Sequence, residues 1–141
     1  MSDILRAEIR LLNDGIKFSS TSENYPEIVS DYDPPLGRHE GYRPLELFLI
    51  SFGTCVGGTV LPILRRMQKD ITSFAMTVEG NRKSEHPTGF NKIILNFAVK
   101  SHNLNEQDMQ KAITLSEEKF CPVWSMIGRN VTVETIFHID R

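Results

Sequence analysis

Between Pro44 and Leu64 the chain carries a single charge, Glu46, over a stretch about as long as a bilayer is thick. A segment of that kind must either cross a membrane or be buried by everything around it. Glu46, the glycines Gly53, Gly57 and Gly58, and Pro62 all interrupt it, and its flanks read as a mixed domain that needs a central buried element. It is therefore expected as a core helix, apolar on all sides, with no membrane partner. Pro44 suits the first helical position, where a missing N–H is no loss. The apolar run continues to about Lys69, before Asp70. Pro62 lies far inside and is expected to split the helix into two packed segments at an angle, since an internal proline costs about 3 kcal/mol.

The flanking segments read mostly as strands. Arg6 to Leu12 alternates charged and apolar residues, Asn13-Asp14-Gly15 signals a hairpin, and Ile16-Lys17-Phe18 resumes the alternation. Residues 25–30 predict a third strand, followed from Asp33 to Arg43 by a loop dense in turn formers. Beyond the helix, Thr72 to Gly80 and Phe90 to Lys100 form a long hairpin around a polar loop, with Ile93, Leu95, Phe97 and Val99 on one face. Asn105 can cap a helix from Glu106 to about Lys119, whose apolar members are Met109, Ala112, Ile113, Leu115 and Phe120. Cys121-Pro122 opens a second short helix through Met126 or Ile127, and Val131 to Ile139 closes the chain as a strand. The expected fold class is α+β, a mainly antiparallel sheet with the helices on one side.

At 141 residues, 40% hydrophobic and 24% charged, the chain is the size of one compact domain spanning 1–141. A net charge of −2 provides no positive field for a polyanion, which excludes a nucleic-acid partner. The residues from Met1 to Glu8 scatter charges where a secretory leader needs an uninterrupted apolar run, so a cytoplasmic location is expected. In a reducing compartment two cysteines are not expected as a structural disulfide, and metal sites need more ligands at closer spacing. His39, His86, His102 and His138 lack such spacing, so no metal and no cofactor is expected. Redox chemistry or plain burial remains for Cys55 and Cys121.

Cys55 lies 11 residues into the long helix, beyond the reach of its macrodipole, and needs another source of activation. Arg38 and Arg43, from the loop before the helix, are the basic residues placed to supply it. Cys121 occupies the N-cap before Pro122, where free backbone N–H groups favour a thiolate, so local electrostatics alone name it the more acidic thiol. Tertiary surroundings can reverse that order. Glu46 precedes Cys55 by nine residues, on about the opposite face and roughly 13 Å along the axis, so the two cannot touch within one straight helix.

Pro44-Leu45-Glu46-Leu47-Phe48-Leu49-Ile50-Ser51-Phe52-Gly53-Thr54-Cys55 resembles the P-x-E-L-L-x-x-x-x-G-x-C signature of OsmC/Ohr-type proteins, in particular their OsmC-like branch. Phe120-Cys121-Pro122-Val123, Ser125 and the closing Val131-Thr132-Val133 resemble the second-cysteine region of that family, and Gly37 and Gly41 match its glycine-bearing loop. The resemblance covers essentially the whole chain. It implies an intertwined homodimer with long central helices and sites at the subunit interface. It also implies a thiol-dependent peroxidase for organic hydroperoxides, in which Cys55 attacks, Cys121 resolves, and a thiol reductant restores the pair. Glu46 and Arg38 are the candidate catalytic partners and Arg43, Phe48 and Trp124 the candidate substrate contacts, but the motif does not fix the arginine: Arg38 lies in the matching loop, Arg43 abuts the helix, and Arg6 or Arg10 can come from the hairpin. The peroxidases of the family carry glutamate directly after the motif proline, where this chain has Leu45; Glu46, one residue later, matches the OsmC-like branch.

Gly53, Gly57 and Gly58 are expected as helix-packing residues at the dimer core, since each costs about 1 kcal/mol against alanine inside a helix. Phe48 and Trp124 fit an apolar pocket wall, or equally the core. The competing function is a binding module for a small apolar or thiol-reactive ligand without turnover.

Overall fold

The computed structural model describes residues 4–141. Met1–Asp3, on which part of the N-terminal reading rests, lie outside the described residues. The chain divides into two compact units, Met1–Phe48 and Leu49–Arg141.

In the first unit β1 (Glu8–Leu11), β2 (Phe18–Thr21) and β3 (Ile28–Ser30) form an antiparallel sheet in the order β1-β2-β3. The expected hairpin is present, with shorter strands. Asn13 organises its turn: Oδ1 accepts from the N–H groups of Gly15 and Lys17 at 3.0 and 3.3 Å. The loop that follows folds around Asp31, whose side chain is buried. Its carboxylate accepts from the backbone N–H of Tyr32, Arg38 and Glu40 at 2.8, 3.2 and 3.1 Å. Burial works to raise the Asp31 pKa, and these three bonds outweigh it and hold the carboxyl below its usual range. Gly37 is required here, because a Cβ at that position would overlap Asp31 Oδ1 and the Tyr32 carbonyl.

Helix α1 (Pro44–Arg66) begins in the first unit and continues into the second. The second unit holds β4 (Ser73–Arg82), β5 (Phe90–Lys100), α2 (Glu106–Leu115), a π-turn (Ser116–Phe120), α3 (Pro122–Met126) and β6 (Thr132–Asp140). Its core joins a stripe of α1 at i, i+4 spacing, Phe52, Val56, Val60 and Leu64, to Ile93, Leu95, Phe97 and Val99 of β5 and Met109, Ala112 and Ile113 of α2. Full burial of each larger side chain contributes about 1.5–3 kcal/mol. The buried β5 face is the one the alternation predicts. By length and composition α1 could span a bilayer; its Phe52, Val56, Val60 and Leu64 stripe has no exposed surface, while its other faces are only partly covered.

Two expectations are corrected. Pro62 does not divide α1, which runs as one helix to Arg66. The proline lies only four residues from the helix end, where the single bond it removes has few others depending on it. Helix α2 does not continue to Lys119: it ends at Leu115 and widens into the π-turn, where Cys121 N donates to Ser116 O at 2.9 Å. Phe120, expected on the apolar face, is 52% exposed. The sheets are mainly antiparallel, as expected, and β4 and β5 form the expected hairpin; the one parallel pair is β5 with β6, from Lys92↔Thr132 to Lys100↔Asp140. The intervening helices provide the crossover a parallel pair requires.

Candidate thiol site

Cys55 and Cys121 meet in the second unit, with Cys121 Sγ donating to Cys55 Sγ at 2.9 Å. Both are free cysteines, Cys55 partly exposed and Cys121 buried. Two local devices bring Cys121 there. Its backbone closes the π-turn, and its side chain caps α3, accepting from Trp124 N at 3.4 Å. An ordinary α-turn starting at Ser116 would bring residue 120 back onto the face of Ser116. The wider turn brings residue 121 there instead and leaves Phe120 in solvent.

The expectation that Cys121 is the more acidic thiol by its cap position does not hold. Burial and donation of its proton to Cys55 push the Cys121 pKa up to about 11, against the opposing pull of the Trp124 N–H. At neutral pH Cys121 is therefore a protonated donor, and the Cys55 sulfur is its acceptor. That polarity suits two sulfurs with different tasks.

Around the pair, Trp124 is 8% exposed and meets Phe52 edge to face, with ring centroids 5.5 Å apart at 85°. It forms core at the floor of α3. Two turns of hydroxyl chemistry lie beside the sulfurs: Ser116 Oγ and Thr59 Oγ1 are 2.5 Å apart, and Ser116 has no exposed surface. Sequence reasoning missed both. The signal was present, since Met109, Ala112, Ile113 and Ser116 continue one helical stripe, and a polar residue on an apolar stripe needs a partner.

A groove of about 530 Å³ also belongs to this unit, lined by Leu49, Ile50, Gly57, Leu61, Phe74 and Met76 among others. Gly53 and Gly57 admit β4 of the same chain: a Cβ at Gly53 would lie 2.8 Å from Val78 Cγ2, and one at Gly57 would lie 3.2 Å from Met76 Sδ. All three glycines were expected to pack at a dimer core; Gly53 and Gly57 instead admit a strand of this chain, and a Cβ at Gly58 would meet nothing within 4 Å.

The remaining candidates lie in the first unit. Arg43, the N-cap of α1, is bound by Glu46 at the third helical position: its backbone N donates to Glu46 Oε1 at 2.8 Å and its Nε to the same oxygen at 3.2 Å. Arg43 Nη1 donates to Asp33 Oδ2 at 3.1 Å, and His39 Nδ1 lies 2.6 Å from Asp33 Oδ1. The Arg43 guanidinium and backbone hold the Glu46 carboxyl below its ordinary pKa, and Glu46 in turn raises that of Arg43. Arg38 instead pairs with Asp14 at 2.7 Å and lowers the pKa of that carboxyl. Phe48 is 38% exposed. Arg43 and Glu46 thus form one cluster, with Arg38 in a separate pair. Asp31, which fixes the loop carrying Asp33, Arg38 and His39, was not singled out from sequence.

Comparison with known proteins agrees with this architecture. The family model described as OsmC-like protein matches residues 37–136. Protein YhfA of Escherichia coli K12 is 25% identical over 126 residues, covering 89% of this chain and 92% of YhfA. An OsmC-like protein from Mycoplasma pneumoniae superposes with a TM-score of 0.84 at 18% identity, covering all of both chains. A Legionella pneumophila structure described as an organic hydroperoxide resistance protein OsmC and predicted redox protein superposes with a TM-score of 0.70 at 17% identity, covering 95% of this chain and 96% of that one. Matched by the family model over well beyond half its length and by the fold from end to end, the chain belongs to the OsmC-like family.

Proposed function

We propose that this protein is a thiol-dependent peroxidase for organic hydroperoxides, acting through Cys55 and Cys121. The observation that carries the reading is the 2.9 Å contact between a partly exposed sulfur and a buried, protonated one. In the first step the Cys55 thiolate attacks the distal oxygen of the hydroperoxide, the O–O bond breaks, and the alkoxide leaves as alcohol on taking a proton. Cys55 becomes a sulfenic acid. Cys121 then attacks that sulfur, water leaves with the Cys121 proton, and a Cys55–Cys121 disulfide forms. A dithiol reductant returns the pair by exchange, itself becoming a disulfide. Arg43 and Arg38 are proposed to serve the anionic sulfur, with Glu46 orienting Arg43, and Phe48 to meet the apolar part of the substrate.

Membership of a family that includes hydroperoxide resistance proteins supports the reading, as does the pairing of a partly exposed sulfur with a buried one. In the test, cumene hydroperoxide is added to reduced protein and consumption is followed with dithiothreitol as reductant. Wild type turns over, Cys55→Ser is inactive, and Cys121→Ser, mixed with peroxide in the absence of dithiothreitol, consumes one equivalent and accumulates sulfenic acid. If Cys55→Ser consumes peroxide as fast as wild type, the reading is wrong.

A second reading, a non-catalytic binding module, draws on Leu45, which stands where the peroxidases of the resemblance carry glutamate. It is distinguished by saturable ligand binding without peroxide loss. In either case we propose a cytoplasmic homodimer of single-domain chains. Ile9 and Leu11 of β1 are 67% and 51% exposed, and the groove between α1 and β4 is apolar, surfaces of the kind that a second copy covers.

A further inference from the structure

Cys55 and Thr59 stand one α-turn apart on α1, about 6 Å along its axis. Ser116 and Cys121 stand one π-turn apart on the crossover. The two segments are therefore joined by two rungs: sulfur to sulfur at 2.9 Å and hydroxyl to hydroxyl at 2.5 Å. Thr59 Oγ1 donates its one proton to the Val56 carbonyl at 2.9 Å, so the proton between the hydroxyls belongs to Ser116, and Thr59 Oγ1 accepts it. Ser116 also accepts, through its own carbonyl, the N–H of Cys121 at 2.9 Å. One fully buried residue thus ties the backbone of Cys121 to a fixed point on the helix that carries Cys55.

We infer that Thr59 and Ser116 are positioning residues for the thiol pair, setting the register in which the Cys121 sulfur faces the Cys55 sulfur; the inference rests on the redox reading of that pair. Neither hydroxyl bonds a sulfur, so they act through placement. Without the rung, the π-turn is free to slide along α1 or relax to an α-turn, and either change withdraws Cys121. The quantity that senses this is the effective concentration of one thiol at the other, which sets the equilibrium for closing the disulfide.

The test equilibrates reduced protein with glutathione buffers. Two protein thiols and one oxidised glutathione give the Cys55–Cys121 disulfide and two reduced glutathione molecules, and the protein is scored by mass for loss of two hydrogens. Thr59→Val, which keeps the shape and removes the acceptor, is expected to shift the equilibrium toward the dithiol by about tenfold, with Ser116→Ala doing the same. Thr59→Ser, which keeps the hydroxyl, is expected to stay within about twofold of wild type. A loss of stability common to both redox states cancels from this equilibrium, so a merely structural role would not move it. If Thr59→Val fails to fold, as judged by circular dichroism, Ser116→Ala carries the same comparison. Folded variants that close the disulfide as readily as wild type overturn the positioning role and leave the redox reading standing. A wild type that forms no disulfide in oxidised glutathione overturns both.

Discussion

At Cys121 two environments compete for one proton. The start of α3 offers the Trp124 N–H at 3.4 Å, which favours the anion, while burial and the Cys55 sulfur favour the thiol and win, with the pKa pushed up to about 11. Iodoacetamide at pH 8 is therefore expected to alkylate Cys55 and spare Cys121, whose labelling should climb only as the pH approaches about 11. Stability should follow the same group. The folded state holds this proton more tightly than the unfolded chain, so the stabilisation is complete below the ordinary value of 9.0 and is lost as pH rises toward about 11. Denaturant midpoints of the reduced protein, compared with Cys121→Ser, should fall across that window; equal profiles would show that the proton is not held. The cap position of Cys121 was legible from Pro122 beside it, because caps are local. Its acidity was not, because burial by other elements governs it first and the Cys55 sulfur, 66 residues away in sequence, adds to it.

Among the elements, α1 and β4 approach closely because Gly53 lets them. An alanine there would press its Cβ to 2.8 Å from Val78 Cγ2, so Gly53→Ala is expected to destabilise by about 1–3 kcal/mol, read as a lower urea midpoint, despite the better helix propensity of alanine. An unchanged or raised midpoint would mean that the strand yields freely. The Asn105 cap, accepting from Asp108 N at 2.8 Å, the β5 core face and the start of α1 at Pro44 were all legible, since each depends on neighbours a few residues apart. The direction of β6 was not. Alternation tells which side chains are buried and says nothing of which way the strand runs, although the helical stretch between Lys100 and Thr132 already hinted at a crossover. The π-turn was missed for a related reason: a 3.6-residue stripe has no mark for one extra residue, and the exposed Phe120 is where the stripe fails.

For the whole molecule, two compact units are each left with apolar surface, β1 in the first and the α1/β4 groove in the second. The proposed homodimer predicts a solution mass of twice the 16.1 kDa chain by light scattering, and a charge in the groove, Ile50→Glu, should lower it toward one chain. A wild-type mass of one chain would sink the dimer. The parallel pairing of β5 with β6 has a consequence of its own. The chain leaves β5 at Lys100 and has to travel back along the sheet before re-entering beside Lys92, and Cys121 rides on that return path. The second sulfur is thus spliced between two paired strands of one sheet instead of hanging from a loose tail. Fraying at the C-terminus cannot set it swinging, and repeated oxidation and reduction can proceed on a segment fastened at both ends.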